Sequence, residues 1–135
     1  MNESITEGGC LCGHVRYRIR GDAVGSTLCH CSTCRRAAAA PSVAWAIFNA
    51  ADFEITAGEP KRFRSSPHIE RSFCGDCGTP LIYRSDRRRD VVDVTTGSLD
   101  HPESYAPAVE IWTGEKLPWE IVNDALPQFP RSSRG

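Results

Sequence analysis

The chain holds seven cysteines, and all of them fall in three short clusters. Cys10 and Cys12 lie in GGCLCG, Cys29, Cys31 and Cys34 in CHCSTCRR, and Cys74 and Cys77 in FCGDCGTP. Seven is odd, so full disulfide pairing would leave one thiol over. The amino terminus, MNESITEGG, has neither a basic start nor an apolar segment, so it reads as no secretory signal. A cytoplasmic location is therefore expected, and thiols there stay reduced. The clusters are read as metal ligands.

Their spacing has geometric content. In extended chain, residues i and i+2 point to one face, so a CxC aims two sulfurs at one point. A CxxC closes a tight turn around an ion, and Gly75 and Gly78 beside Cys74 and Cys77 suit such a turn. CxCxxC combines both devices. Two divisions of seven make sense. One is four plus three, with Cys10, Cys12, Cys74 and Cys77 as a closed site and Cys29, Cys31 and Cys34 as an open one. The other is a different four, leaving three partly unused. The first is favoured, because two glycine-flanked pairs make a natural clamp between distant segments. Structural zinc takes four protein ligands, whereas a working zinc keeps three and leaves one position for water or substrate. Two readings compete for the triplet: His14 or His68 arrives to close it, or it stays as free thiols. His30, between two cysteines, is expected to point away from them.

With 135 residues the chain is long enough for one domain, taken as 1–135 with a core over 8–129 and a loose tail over 130–135. The net charge of −1 argues against nucleic acid as partner, and no apolar run is long enough to span a bilayer. Oligomeric state is not legible. HVRYRIRG (14–21) alternates apolar Val15, Tyr17 and Ile19 with arginines, the period of a half-buried strand. AVGSTLCHC reads as its hairpin partner after Gly21-Asp22. SVAWAIF, DFEIT, KRFRS, HIERSFC, LIYRS, DVVDVTTGSL and AVEIW read as further strands. RRAAAA (35–40), stopped by Pro41, suits one or two helical turns, and PWEIVNDAL (118–126) another short turn. The expected fold class is mainly β.

GGCLCGHVRY, CHCSTCRR, FCGDCGTPL and a late IW…PW…LPQF, taken together, resemble the glutathione-dependent formaldehyde-activating enzyme (GFA) family, also called the CENP-V/GFA family. The resemblance runs from about Gly8 to Phe129. It implies an Mss4-like fold of several small antiparallel sheets clamped by zinc. It implies two zinc ions: a structural one on Cys10, Cys12, Cys74 and Cys77, and a catalytic one on Cys29, Cys31 and Cys34. The activity implied is addition of glutathione to formaldehyde, classed as a carbon–sulfur lyase (S-hydroxymethylglutathione synthase type). The partners implied are a small thiol such as glutathione and a small aldehyde. Relatives often carry histidine before the Ile-Trp of the late motif, where this chain has Glu110.

Three thiolates on Zn²⁺ leave a net charge of −1 and weaken its Lewis acidity. Such a centre suits deprotonating a thiol, whose pKa starts near 8.5, better than water. Arg35 directly follows the triplet and is the candidate cosubstrate contact; Arg36 is read as a surface residue. Trp45 and Phe48 are candidate walls, with a core role favoured for each. Arg87, Arg88 and Arg89 read as a solvated turn. The contrasting function is a non-catalytic zinc-stabilised binding module with both sites structural. A third is a thiol-based redox or metal sensor, which needs a labile zinc.

Overall fold

The structure is a computed structural model and describes residues 4–133. The first three and last two residues of the two terminal segments read above lie outside it. In chain order the elements are β1 (Ile5–Gly9), β2 (Arg16–Arg20), β3 (Gly25–Cys29), helix α1 (Ser32–Ala38), β4 (Val43–Asn49), β5 (Phe53–Ala57), β6 (Lys61–Ser66), β7 (Ile69–Phe73), β8 (Pro80–Ser85), β9 (Val91–Thr95), β10 (Val109–Ile111) and β11 (Gln128–Phe129). They form two sheets, one of three strands ordered β1-β2-β5 and one of eight ordered β11-β10-β3-β4-β9-β8-β7-β6.

The period of two in β2 is realised as expected. Tyr17 and Ile19 are fully buried, while Arg18 turns outward between Glu7 and Glu54, at 3.4 and 3.6 Å. The partner differs from expectation. β3 does not form a hairpin with β2. Both edges of β2 are taken, by β1 and β5, so β3 has no edge left to pair with. Gly21, at φ +151°, carries the chain off this sheet. β3 instead pairs antiparallel with β4 and parallel with β10. β10 also pairs parallel with β11; all other pairs of strands are antiparallel. The parallel contacts need long crossover connections, and residues 30–108 supply the first.

Alternation sorts the large sheet into two faces. Ala46 and Phe48 of β4, Val92 and Val94 of β9 and Ile82 of β8 join Tyr17 and Ile19 of the small sheet in one core. Full burial of each large apolar side chain there contributes roughly 1.5–3 kcal/mol. The opposite face presents Cys29, Val43 and Trp45, with Tyr83 packed against them. One face therefore holds the main core and the other bears Cys29 of the cysteine triplet.

The helix begins earlier than the alanine run suggests. Cys31 caps it: its sulfur accepts from the Cys34 N–H at 3.2 Å. The run RRAAAA contributes only the last turn, because Ala39 adopts φ +52° and its N–H closes onto the Arg35 carbonyl. Residues 118–126 contain turns and no helix. The tail, expected to be loose from residue 130, is tied as far as Arg131, whose carbonyl accepts from Trp112 N–H at 3.0 Å. No helix among the described residues is long and apolar enough to cross a membrane.

Candidate metal centres

Cys10 and Cys12 follow β1, and Cys74 and Cys77 lie between β7 and β8, so this cluster joins the small sheet to the large one. All four sulfurs lie within 4.8 Å of one another. Cys10 to Cys12 is 3.6 Å and Cys12 to Cys74 is 3.7 Å. A tetrahedron of sulfurs at the zinc–thiolate bond length has edges of about 3.8 Å. The donor set therefore fits a tetrahedral thiophilic ion. Backbone N–H groups aim at the sulfurs: Val15 at Cys10 (3.3 Å), and Asp76 and Cys77 at Cys74 (3.4 and 3.5 Å). These bonds offset thiolate charge. Gly13 (φ +81°) and Gly78 (φ +83°) each close a turn after a cysteine pair, the Gly13 N–H onto the Cys10 carbonyl three residues back and the Gly78 N–H onto the Cys74 carbonyl four residues back. Gly75 acts differently, giving room to the Lys61 side chain. The Cys77 thiol is lowered to about 5 by the Thr79 hydroxyl and then by the N–H groups of Thr79 and Cys12.

The second cluster is built in one continuous stretch. Cys29 ends β3, Cys31 caps α1 and Cys34 sits in its first turn. Their sulfurs also lie within 4.8 Å of one another, and no fourth histidine, cysteine or carboxylate joins them among the described residues. His14 stands beside Asp76 and His68 beside Asp86, each at 3.9 Å, so neither closes the triplet. His30 points away from the sulfurs and is fully buried. Its Nε2 is 2.7 Å from Glu110 Oε1 and its Nδ1 3.5 Å from Glu120 Oε2. Glu110 is equally buried, and its other oxygen accepts from the Asn123 N–H. The late-motif glutamate thus anchors the back of the cysteine loop and lines neither cavity beside it.

The three sulfurs open onto a cavity of about 360 Å³. Trp45, Tyr83 and Trp112 wall it, and Arg71, Arg88 and Glu115 bring charge. Trp45, for which a core role was favoured, is a wall; Phe48 is core. Arg71 belongs to none of the motifs read from the sequence. It is buried, its Nη2 donates to Cys34 Sγ at 3.5 Å and its Nε to Ser65 Oγ at 2.9 Å. Its guanidinium lies 5.0 Å from the Tyr83 ring centroid. A signal existed: in β7, Arg71 alternates with Ile69 and Phe73, placing a cation on an otherwise apolar face. Arg35 is not among the cavity residues, and Arg36 borders only a shallow surface depression. Arg87 and Arg89 are exposed as expected, but Arg88 reaches the cavity and donates to Asp93 at 3.2 Å. Among the three thiols Cys34 ionises first. Hydrogen bonds from Cys29 and Cys31 lower it to about 2, with the Arg71 charge adding. Cys29 is pushed up by its bonds to Cys31 and Cys34 and by burial.

Trp112 is held at φ +57°, ψ +34°, a left-handed conformation that costs a residue with a Cβ about 1–2 kcal/mol. Trp112→Gly is therefore expected to be more stable than Trp112→Ala by about 1 kcal/mol. Denaturant unfolding of the two variants checks this, and equal midpoints would refute it.

Fold and site define a mainly β protein with two cysteine clusters able to bind metal ions, one closed and one open to a cavity. The chain belongs to the glutathione-dependent formaldehyde-activating enzyme family, whose model matches residues 5–115. It is similar to an uncharacterized lyase of Schizosaccharomyces pombe, 31% identical over 77 residues. That match covers 57% of this chain and 56% of the yeast protein, so the chain spans just over half of that relative. It also resembles the crystal structure of a Rhodobacter sphaeroides protein, with a TM-score of 0.61 and 17% identity, covering 90% of this chain and 98% of that one. At that identity the likeness concerns the fold alone.

Proposed function

We propose that this protein is a carbon–sulfur lyase-type enzyme. It joins a glutathione-like thiol to a small aldehyde, or cleaves the adduct. Cys10, Cys12, Cys74 and Cys77 would hold a structural zinc, and Cys29, Cys31 and Cys34 a working one. The observation that carries the reading is the triplet itself: three converging sulfurs facing a cavity, with no fourth ligand among the described residues. The family and the lyase-named relative support it. Seven reduced thiols suit a cytoplasmic setting.

Zinc bound there would lower the pKa of a thiol at the fourth position. The remaining work falls to the chain. Arg71 offers a fixed positive charge beside Cys34, matched to the negative three-thiolate centre. Trp45, Tyr83 and Trp112 give the cavity apolar walls, and a low-polarity wall strengthens that charge. Arg88, oriented by Asp93, and Arg71 are donors within reach of a cosubstrate carboxylate. In the reaction a sulfur–carbon bond forms as the carbonyl π bond breaks. The thiol proton ends on the carbonyl oxygen, and nothing is oxidised or reduced.

The test is zinc per chain on fresh protein, together with exchange spectroscopy of formaldehyde and glutathione. Two zincs and accelerated adduct exchange are expected. One zinc, no acceleration and no effect of glutathione on chelation would leave a zinc-clamped binding module. Arg71→Ala is expected to lower kcat/KM about 10- to 100-fold. Arg71→Lys should recover only part of the loss, since lysine keeps the charge but cannot reproduce the fork and the ring stacking. Steady-state kinetics at matched folding decide, and wild-type kcat/KM in Arg71→Ala would remove Arg71 from the mechanism.

A further inference from the structure

Cys34, Trp45 and Arg71 border a second cavity of about 310 Å³ as well as the first. It lies between α1 and the strands β4, β6, β7 and β8. Its walls are mostly apolar, among them Ala38, Val43, Phe63, Phe73 and Ile82. Among the described residues Arg71 is the one charged side chain on it, and its Nη2 and Nε are held by Cys34 and Ser65. A one-carbon aldehyde has no use for such a space.

We infer that the aldehyde handled by this site carries an apolar tail of several carbons, and that the tail lies in this second cavity. The inference rests on the carbon–sulfur lyase reading above and names its substrate class. The two cavities divide the reactants by chemistry. The first contains all three sulfurs and the charges of Arg71, Arg88, Asp93 and Glu115, and so suits a charged, peptide-like thiol. The second is apolar and shares Cys34, Trp45 and Arg71 with the first as lining residues. A carbonyl carbon beside those residues has the thiol sulfur on one side and its own tail on the other. The bond made is sulfur to carbon, the thiol proton moves to the carbonyl oxygen, and no oxidant or reductant is needed.

The experiment measures kcat/KM for adduct formation with glutathione along ethanal, propanal, butanal, pentanal and hexanal, which share one carbonyl electronic character. Formaldehyde is run separately. The expected rise is about fourfold per added methylene until the cavity is full, the fold-change equivalent to removing one CH₂ from water. A second readout is independent of turnover: 1-hexanol, which cannot form the adduct, should give a saturable change in tryptophan fluorescence through Trp45, and methanol none. Ala38→Phe, which fills the cavity from the helix side, should lower kcat/KM for hexanal at least tenfold more than for ethanal. If that variant does not fold, the wild-type series and the 1-hexanol titration decide. Turnover of formaldehyde with a flat or falling series, or no response to 1-hexanol, overturns the tail cavity and leaves the lyase reading standing. No turnover of any aldehyde overturns both.

Discussion

Cys74→Ser is expected to leave the protein unfolded at room temperature. Cys74 is fully buried, receives the N–H groups of Asp76 and Cys77, and completes the sulfur group that joins the two sheets. Structural zinc supplies about 10–16 kcal/mol of folding free energy in small zinc modules. The net stability of a domain is about 5–15 kcal/mol. Losing one of four thiolates therefore weakens a contribution as large as the whole margin. Serine leaves a buried hydroxyl where backbone donors expect an anion, which adds to the loss. Chelation at this centre should act in the same way. Circular dichroism, a thermal melt and zinc content check it. A cooperative melt within a few degrees of wild type would show that the clamp is not structural.

Cys31→Ser should do the opposite, keeping the fold and losing activity. Cys31 is only partly buried, and its structural duty is to cap α1 by accepting from the Cys34 N–H. Serine is among the best residues for that duty, so the helix start survives. The sulfur does not, and the triplet falls to two ligands. Removing a mere neighbour of a metal ligand already costs 10- to 100-fold in affinity or activity. Loss of a ligand from a three-sulfur site should exceed about 100-fold. The expected result is one zinc lost of two, a melting temperature near wild type and adduct exchange close to the uncatalysed rate. Full activity with one zinc would place the chemistry elsewhere. Unfolding would make the triplet a second structural site, as a binding module requires.

The contrast between the two variants follows from how each cluster is assembled. Cys29, Cys31 and Cys34 come from one strand end and one helix start, so their convergence is a local property. Cys10 and Cys12 meet Cys74 across a gap of more than sixty residues, so theirs depends on the docking of two sheets and in turn secures it.

The same distinction separates what could be read from the chain and what could not. The convergence of Cys29, Cys31 and Cys34, the two cysteine pairs, the strand at Tyr17 and Ile19 and the turn at Gly78 are all legible. Each is set within a few residues by side-chain direction and permitted φ. The pairing of β3 is not, because alternation says that a strand has two faces and is silent on which edge it joins. The helix start at Ser32 is not legible, because the capping atom is a cysteine sulfur, outside the usual cap residues. Trp45 and Phe48 looked alike in one apolar run. They differ by an odd number of positions, so one faces the cavity and the other the core.

The sequence by itself determined the cysteine triplet, the two cysteine pairs and the strand periods, because spacing of two or three residues fixes where neighbouring side chains point. Only the tertiary structure decided that Arg71 of β7 would stand against Cys34, that His30 would be held by Glu110, and that Cys34 would border two cavities. Those contacts join residues separated by 37 and 80 positions. At such distances proximity is set by the order and register of strands in the large sheet, a property of all the pairings together.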